Sequence, residues 1–112
     1  MDADCPFCKR IAAGEYDHDG YHVVSFEPLN PVTSGHRLVV PMEHVEHALE
    51  KSEITGRTME YAVSIARQLG MESCNLITSV GGWASQTVKH LHIHIVPRRE
   101  DDGLLLPWGG VG

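Results

Sequence analysis

The chain of 112 residues lacks long apolar runs: no stretch approaches the ~18–20 uncharged apolar residues that a membrane span requires. Its first residues, Met1-Asp2-Ala3-Asp4-Cys5, carry neither a basic nor an apolar segment, so no secretory signal is expected there. Cysteine is scarce. Three residues without an export signal point to a reducing, cytoplasmic setting and argue against a disulfide framework. Positive charge is in deficit as well: 9 Lys and Arg against 15 Asp and Glu give a net charge of -6. A general grip on a nucleic-acid polymer through a basic surface is therefore not expected, whereas a small anion held by local donors is compatible with this balance. Linkers, repeats and low-complexity tracts are missing before the last few residues, and the length suits one domain over residues 1–112.

Histidine is what the chain has in excess, with eight residues. Around them the elements read in order. Phe7 to Glu15 is a short helix ending near Gly14. Tyr21 to Phe26 is a strand, closed by the rigid Glu27-Pro28-Leu29-Asn30-Pro31 loop. His36 to Pro41 is a second strand. Ser52 is placed to cap a long helix that carries Ile54, Met59, Ala62, Ala66 and Leu69 at helical spacing and ends at Gly70, with Gly56 weakening its first turn. Asn75 to Val80 is a third strand, Gly81-Gly82 a turn, and Lys89 to Pro97 a fourth strand. Strands in short succession with one long helix give an α+β class, helices packed on a mostly antiparallel sheet.

The segment that carries chemistry is His90-Leu91-His92-Ile93-His94-Ile95-Val96. Period-two alternation sets His90, His92 and His94 on one face and Leu91, Ile93 and Ile95 on the core face. Alternate strand residues lie roughly 6.6–7 Å apart, so the outer two histidines are about 13 Å apart at Cα. A single zinc ion needs its nitrogens about 3.4 Å from one another, which three such residues reach only with difficulty. A phosphate, with spread oxygens and hydrogen bonds of ~2.8 Å, fits the row better. The Cys5-Pro6-Phe7-Cys8 pair reads either as a redox pair, though no strand precedes it, or as half of a metal site. Cys74 reads as a small buried apolar residue, His47 as a solvated helical residue, and His18 and His22 as loop and strand surface.

These residues resemble the histidine-triad (HIT) nucleotide hydrolases and transferases, whose His-φ-His-φ-His-φ-φ signature His90 to Val96 satisfies throughout. Ser25 to Pro31 looks like the family's first nucleoside-binding loop, Gly35 to Pro41 like its Gly-His-x-Leu-Val-x-Pro strand, and Gln86-Thr87-Val88 like its Gln-Ser/Thr-Val. The likeness runs from about Cys5 to Arg98. It implies a HIT-like fold with about five strands, one long helix and one short one. It also implies a nucleophile at His92, a phosphate or leaving-group contact at His94, and a further cluster member at His36. Gln86 and Thr87 would contact phosphate oxygens, and Ile11, Phe26, Leu29 and Leu38 would enclose a purine base. The implied activity is cleavage of a nucleoside phosphoramidate or mixed nucleotidyl substrate through a nucleotidyl-histidine. Dinucleoside polyphosphate hydrolysis, nucleotidyl transfer or plain nucleotide binding are its alternatives.

Two positions depart from the pattern. Pro28 stands where the family has a ribose-binding Asp, with Glu27 beside it as a candidate substitute, although a one-residue shift turns a side chain to the other face. Ser79 stands where many members carry Asn near the phosphate. In the family's zinc-binding branch the N-terminal CxxC joins the first triad histidine and a histidine after the Leu-Val-Val-Pro strand. The matching set here is Cys5, Cys8, His44 and His90, a closed structural site for zinc. The apolar C-terminal arm, about residues 103–112 with Trp108, matches a region near the family's dimer interface, so a homodimer is expected.

Overall fold

A computed structural model describes residues 2–107. The N-terminal helix α1 spans Pro6–Ala12. Cys5 is its N-cap, with Sγ accepting from the Cys8 amide, and Pro6 sits in the first turn, where no helical donor is lost. The chain then leaves the helix through Gly14 at φ +69°. The strands are β1 (His18–Asp19), β2 (Val23–Phe26), β3 (Arg37–Pro41), β4 (Cys74–Ile77) and β5 (Ile93–Pro97), with the long helix α2 (Ser52–Gln68) between β3 and β4. They form one fully antiparallel sheet in the order β1-β2-β3-β5-β4.

Both faces of the sheet are covered. Helix α2 packs Ala62, Ile65 and Ala66 against Val23, Val39, Ile93 and Ile95. On the other face, Phe7, Cys8 and Ile11 of α1 meet Val24, Phe26, Leu38 and Val40. This explains why all four residues of β2 are buried: each of its faces has a partner. The register pairs Phe26 with Leu38, Leu38 with His94, and His94 with Ile77, which sets a line across the sheet from the α1 core to the last histidine of the triad.

Several expected boundaries shift for local reasons. β5 begins at Ile93 rather than Lys89, so His90 and His92 precede the ladder. The chain there bonds a loop instead, the Leu91 amide donating to the Val45 carbonyl at 2.7 Å, and Leu91 packs with Val45 and Ile54 in a cluster of its own. β4 stops at Ile77 because Thr78 turns its hydroxyl onto the His92 carbonyl, 2.8 Å away. Helix α2 is capped by Lys51, which gives no side-chain cap, and Ser52 is already its first residue. Gly56 leaves the helix unbroken. His47 lies in a loop with Nδ1 accepting from the Leu49 amide, and Cys74 is only half-buried. The two-residue strand β1, absent from the sequence reading, is polar throughout. It is held by Arg37, which donates to the Ser25 hydroxyl at 3.0 Å and pairs with Asp17.

Candidate active site and metal centre

The triad splits into two centres. His90 turns inward and is fully buried. Its Nε2–H donates to the Pro41 carbonyl at 2.8 Å, which leaves a lone pair on Nδ1. That Nδ1 lies 3.3 Å from Cys5 Sγ, 3.5 Å from Cys8 Sγ and 3.1 Å from His44 Nδ1, while Cys8 Sγ is 3.4 Å from His44 Nδ1. All four donor atoms fall within 4.8 Å of one another. A tetrahedral ion with metal–sulfur bonds of ~2.3 Å and metal–nitrogen bonds of ~2.0–2.1 Å needs donors about 3.4–3.8 Å apart, so the set is nearly at ligating distance. Burial pushes the Cys5 thiol up from its ordinary range, a cost that a cation at the centre of the cluster offsets. These four residues could hold a metal ion. The fork of Cys5 at the helix cap and Cys8 one turn on is what brings both sulfurs to the same point.

His92 lies on the same side of the chain as His90, with Phe7 against both rings, but belongs to the second centre. Its Nδ1 lies 2.7 Å from the His90 carbonyl, which can only accept, so Nδ1 carries the proton and Nε2 is left with a free lone pair. The edge of Phe7 packs on its ring at 5.1 Å. The His94 ring lies 5.1 Å from that of His92. His36, from the residue before β3, completes the row: the Val32 amide donates to its Nδ1 at 3.1 Å, so its proton sits on Nε2 and points at His94 Nδ1, 2.9 Å away. His94 in turn keeps its proton on Nε2. Burial lowers the pKa values of His36 and His92. His94 is lowered to about 4, by burial first and then by the positive charges that His92 and His36 would carry. Three neutral imidazoles with fixed tautomers therefore stand side by side, one offering a lone pair and the next an N–H donor.

The remaining candidates separate. Ser79 joins His36 and His94 in the lining of a cavity of about 330 Å³. Gln86 does not present free donors: its Oε1 accepts from the Gly81 amide at 2.8 Å, and its Nε2 donates to the Glu46 and Val88 carbonyls at 2.6 and 3.0 Å. Thr87 is exposed and borders a smaller space with Cys5, His44 and Val88. Ile11, Phe26 and Leu38 are buried in the α1 core, whereas Leu29 is 89% exposed and Glu27 is exposed on its loop. Trp108 lies outside the described residues. Sequence reasoning missed Thr78, which holds the His92 carbonyl, and the pairing of Arg98 with Asp102, whose i, i+4 spacing was its one visible signal.

A sheet of this topology with four histidines from β3 and β5 and their flanks defines a histidine-triad protein. The sequence model of the HIT domain matches residues 17–101, and the chain belongs to the HIT family. It is 35% identical over 115 residues to an uncharacterized HIT-like protein of Methanocaldococcus jannaschii, covering 96% of this chain and 88% of that one. It is 32% identical to an adenosine 5'-monophosphoramidase of Schizosaccharomyces pombe, covering 93% and 82%. Its fold superposes on a HIT family hydrolase from Clostridium thermocellum with a TM-score of 0.81 at 28% identity, over 95% of this chain and all of the other.

Proposed function

We propose that the protein is a nucleotide hydrolase that cleaves a purine nucleoside phosphoramidate, or a related mixed nucleotidyl substrate, and releases the nucleoside monophosphate. The observation that carries this reading is the tautomer of His92: its Nδ1–H is spent on the His90 carbonyl, so Nε2 is a neutral nucleophile beside the His94 donor. In the proposed reaction the Nε2 lone pair forms a bond to the α-phosphorus while the phosphorus–nitrogen bond of the substrate breaks. The nitrogen, which arrives protonated, departs as a free amine. Water then attacks the nucleotidyl-imidazolium, restores His92 and gives its proton to solvent. His94 Nε2–H hydrogen-bonds the leaving atom or a phosphate oxygen, and His36 holds His94 in that tautomer.

Ser79 and Thr87 supply further donors to the phosphate, and Gln86 acts through the loop it ties together rather than by touching substrate. Ile11, Phe26 and Leu38 provide the apolar wall for the base, and Glu27 meets the ribose. Cys5, Cys8, His44 and His90 hold a structural zinc ion, which fastens the N-terminus to the segment before β5 and supplies no step of the reaction. The active form is a homodimer in a reducing cytoplasm, where both thiols stay available.

The test is AMP release from adenosine 5'-phosphoramidate by the native protein and by His92→Asn. Turnover that falls by at least about 10³-fold in the variant while AMP still binds supports covalent catalysis. A variant as active as the native protein removes His92 from the mechanism. One observation favours a second reading, a nucleotide-binding module: half-buried Pro28 occupies the ribose-binding position. Tight AMP binding by a native protein without turnover on phosphoramidate, dinucleoside polyphosphate or transfer substrates would select it.

A further inference from the structure

The loop in which Pro28 stands for a carboxylate receives a cation from helix α1. Arg10, in the last turn of that helix, lays its guanidinium over Phe26, with Cζ 3.9 Å from the ring centre. One terminal nitrogen donates to the Glu27 carbonyl at a long 3.4 Å, one residue before Pro28. The Nε–H is buried with no acceptor among the described residues. The chain has two other half-buried arginines, and each has a carboxylate: Arg37 pairs with Asp17, and Arg98 with Asp102. Arg10 has none among the described residues. The ring beneath it supplies part of what an anion would, but an unpaired buried N–H on a half-buried charge remains a cost that the fold does not offset.

We propose that Arg10 is a specificity-determining residue of the nucleoside site, where it binds a phosphate on the ribose, so that the favoured substrate is a 5'-nucleotidyl compound phosphorylated at the 2' or 3' position. The inference rests on the nucleotide reading above and narrows its nucleoside. Three observations converge on it. Phe7 packs on the rings of both His92, at 5.1 Å, and Phe26, at 5.5 Å, so Arg10 stands beyond Phe26 on the path proposed for the nucleoside. Pro28 takes away a carboxylate that would hold free ribose hydroxyls and repel a phosphate. In nucleotide sites an acidic side chain at the ribose suits free hydroxyls, and an arginine nearby suits a ribose phosphate. Finally, the guanidinium has donors to spare. A phosphate would draw it off the Phe26 ring far enough to turn Nε–H and a terminal nitrogen onto two oxygens, exchanging a cation–π contact for a charge-assisted fork. The Glu27 carboxylate, exposed on the same loop, keeps the ribose hydroxyl that carries no phosphate.

The experiment is calorimetric titration of AMP, adenosine 2',5'-bisphosphate and adenosine 3',5'-bisphosphate into the native protein, Arg10→Met, Arg10→Gln and Lys9→Met. Methionine keeps an apolar stem on Phe26 while removing the charge. The native protein should bind one of the bisphosphates about tenfold or more tighter than AMP, the range of hydrogen bonds to a charged group. That ratio should fall to about twofold or less in both Arg10 variants, what general charge attraction leaves. Lys9→Met removes an exposed cation of the same turn and should keep the native ratio. AMP binding with no gain from either bisphosphate would overturn the proposal and leave the nucleotide reading standing, whereas binding of none of the three would overturn both. A gain lost in Lys9→Met and kept in Arg10→Met would also sink it. If neither Arg10 variant folds, NMR of the native protein decides: the Arg10 Nε–H resonance should move further with the tighter bisphosphate than with AMP, and equal displacements reject the contact.

Discussion

At the scale of single residues, the site is governed by where each imidazole keeps its proton, and each assignment follows from a neighbour that can only accept or only donate. The Pro41 carbonyl fixes His90, the His90 carbonyl fixes His92, and the Val32 amide fixes His36 and through it His94. The sequence identified all four histidines but said nothing of these partners, because three of the four are main-chain groups with no sequence signature. It also assigned Gln86 free donors, which only the fold shows to be committed to backbone. One expectation concerns His94, faced by His36, His92 and Ser79. Its folded pKa of about 4 lies below the ordinary 6.5, so the unfolded chain binds the extra proton first as pH falls. The stabilisation from His94 is thus complete above about 6.5 and is lost as pH falls toward 4, on the order of 1 kcal/mol between pH 6.5 and 5.5. Denaturant midpoints across this range should drop less steeply in His94→Gln than in the native protein. Direct titration of the His94 ring by NMR with a midpoint near 6.5 would contradict the assignment.

At the scale of elements, the informative unit is the short helix α1, which brings two sulfurs, two core side chains and the Phe7 edge to one face of the sheet. Helix and strand periodicity was legible for α2 and for Ile93 and Ile95, where packing against a single partner enforces it. The alternation also holds at His90–His92, with Phe7 against both imidazoles and Leu91 packed on Val45 and Ile54; what shifted is the start of the strand, since this stretch bonds the Val45 loop instead of the ladder. Periodicity missed β1, which has no apolar face to announce it. Cys8→Ser should lower the zinc content of purified protein to well under half an equivalent and reduce Tm by several degrees; full metal occupancy in the variant would rule out the proposed ligand set. Leu91→Ala should cost about 2–4 kcal/mol in chemical denaturation, since the residue is 1% exposed and its small cluster offers little to collapse into the gap. Gly20→Ala places a Cβ at 2.6 Å from the Tyr61 ring and should destabilise by about 1–3 kcal/mol unless that ring swings out.

At the scale of the whole molecule, the sheet order leaves β1 and β4 at the edges and puts β3 and β5 in the interior, so His94 and the flanks that carry His36, His90 and His92 belong to the most protected strands. The α+β class and the family were legible in the sequence because the motifs are ordered and closely spaced. The path of residues 103–107 was not, since the pairing of Arg98 with Asp102 that turns the chain there is also tied to Asn75 on β4. Light scattering should return twice 12.4 kDa if the proposed dimer forms, and a single-chain mass at micromolar concentration would dismiss it.

The position of β5 also dictates an order of events during synthesis. Among the described strands it is the last to be made, yet it lies between β3 and β4, and Cys5 waits for a histidine 85 residues downstream. Until residue 97 has cleared the ribosome, β3 has one unpaired edge and β4 has no partner at all, while the N-terminal cysteines have His44 but not His90 until that same late stretch is made. The nascent chain is thus an open sheet exposed to pairing with other chains, and it becomes a folded molecule in a single late step that inserts a strand and closes a loop spanning most of its length.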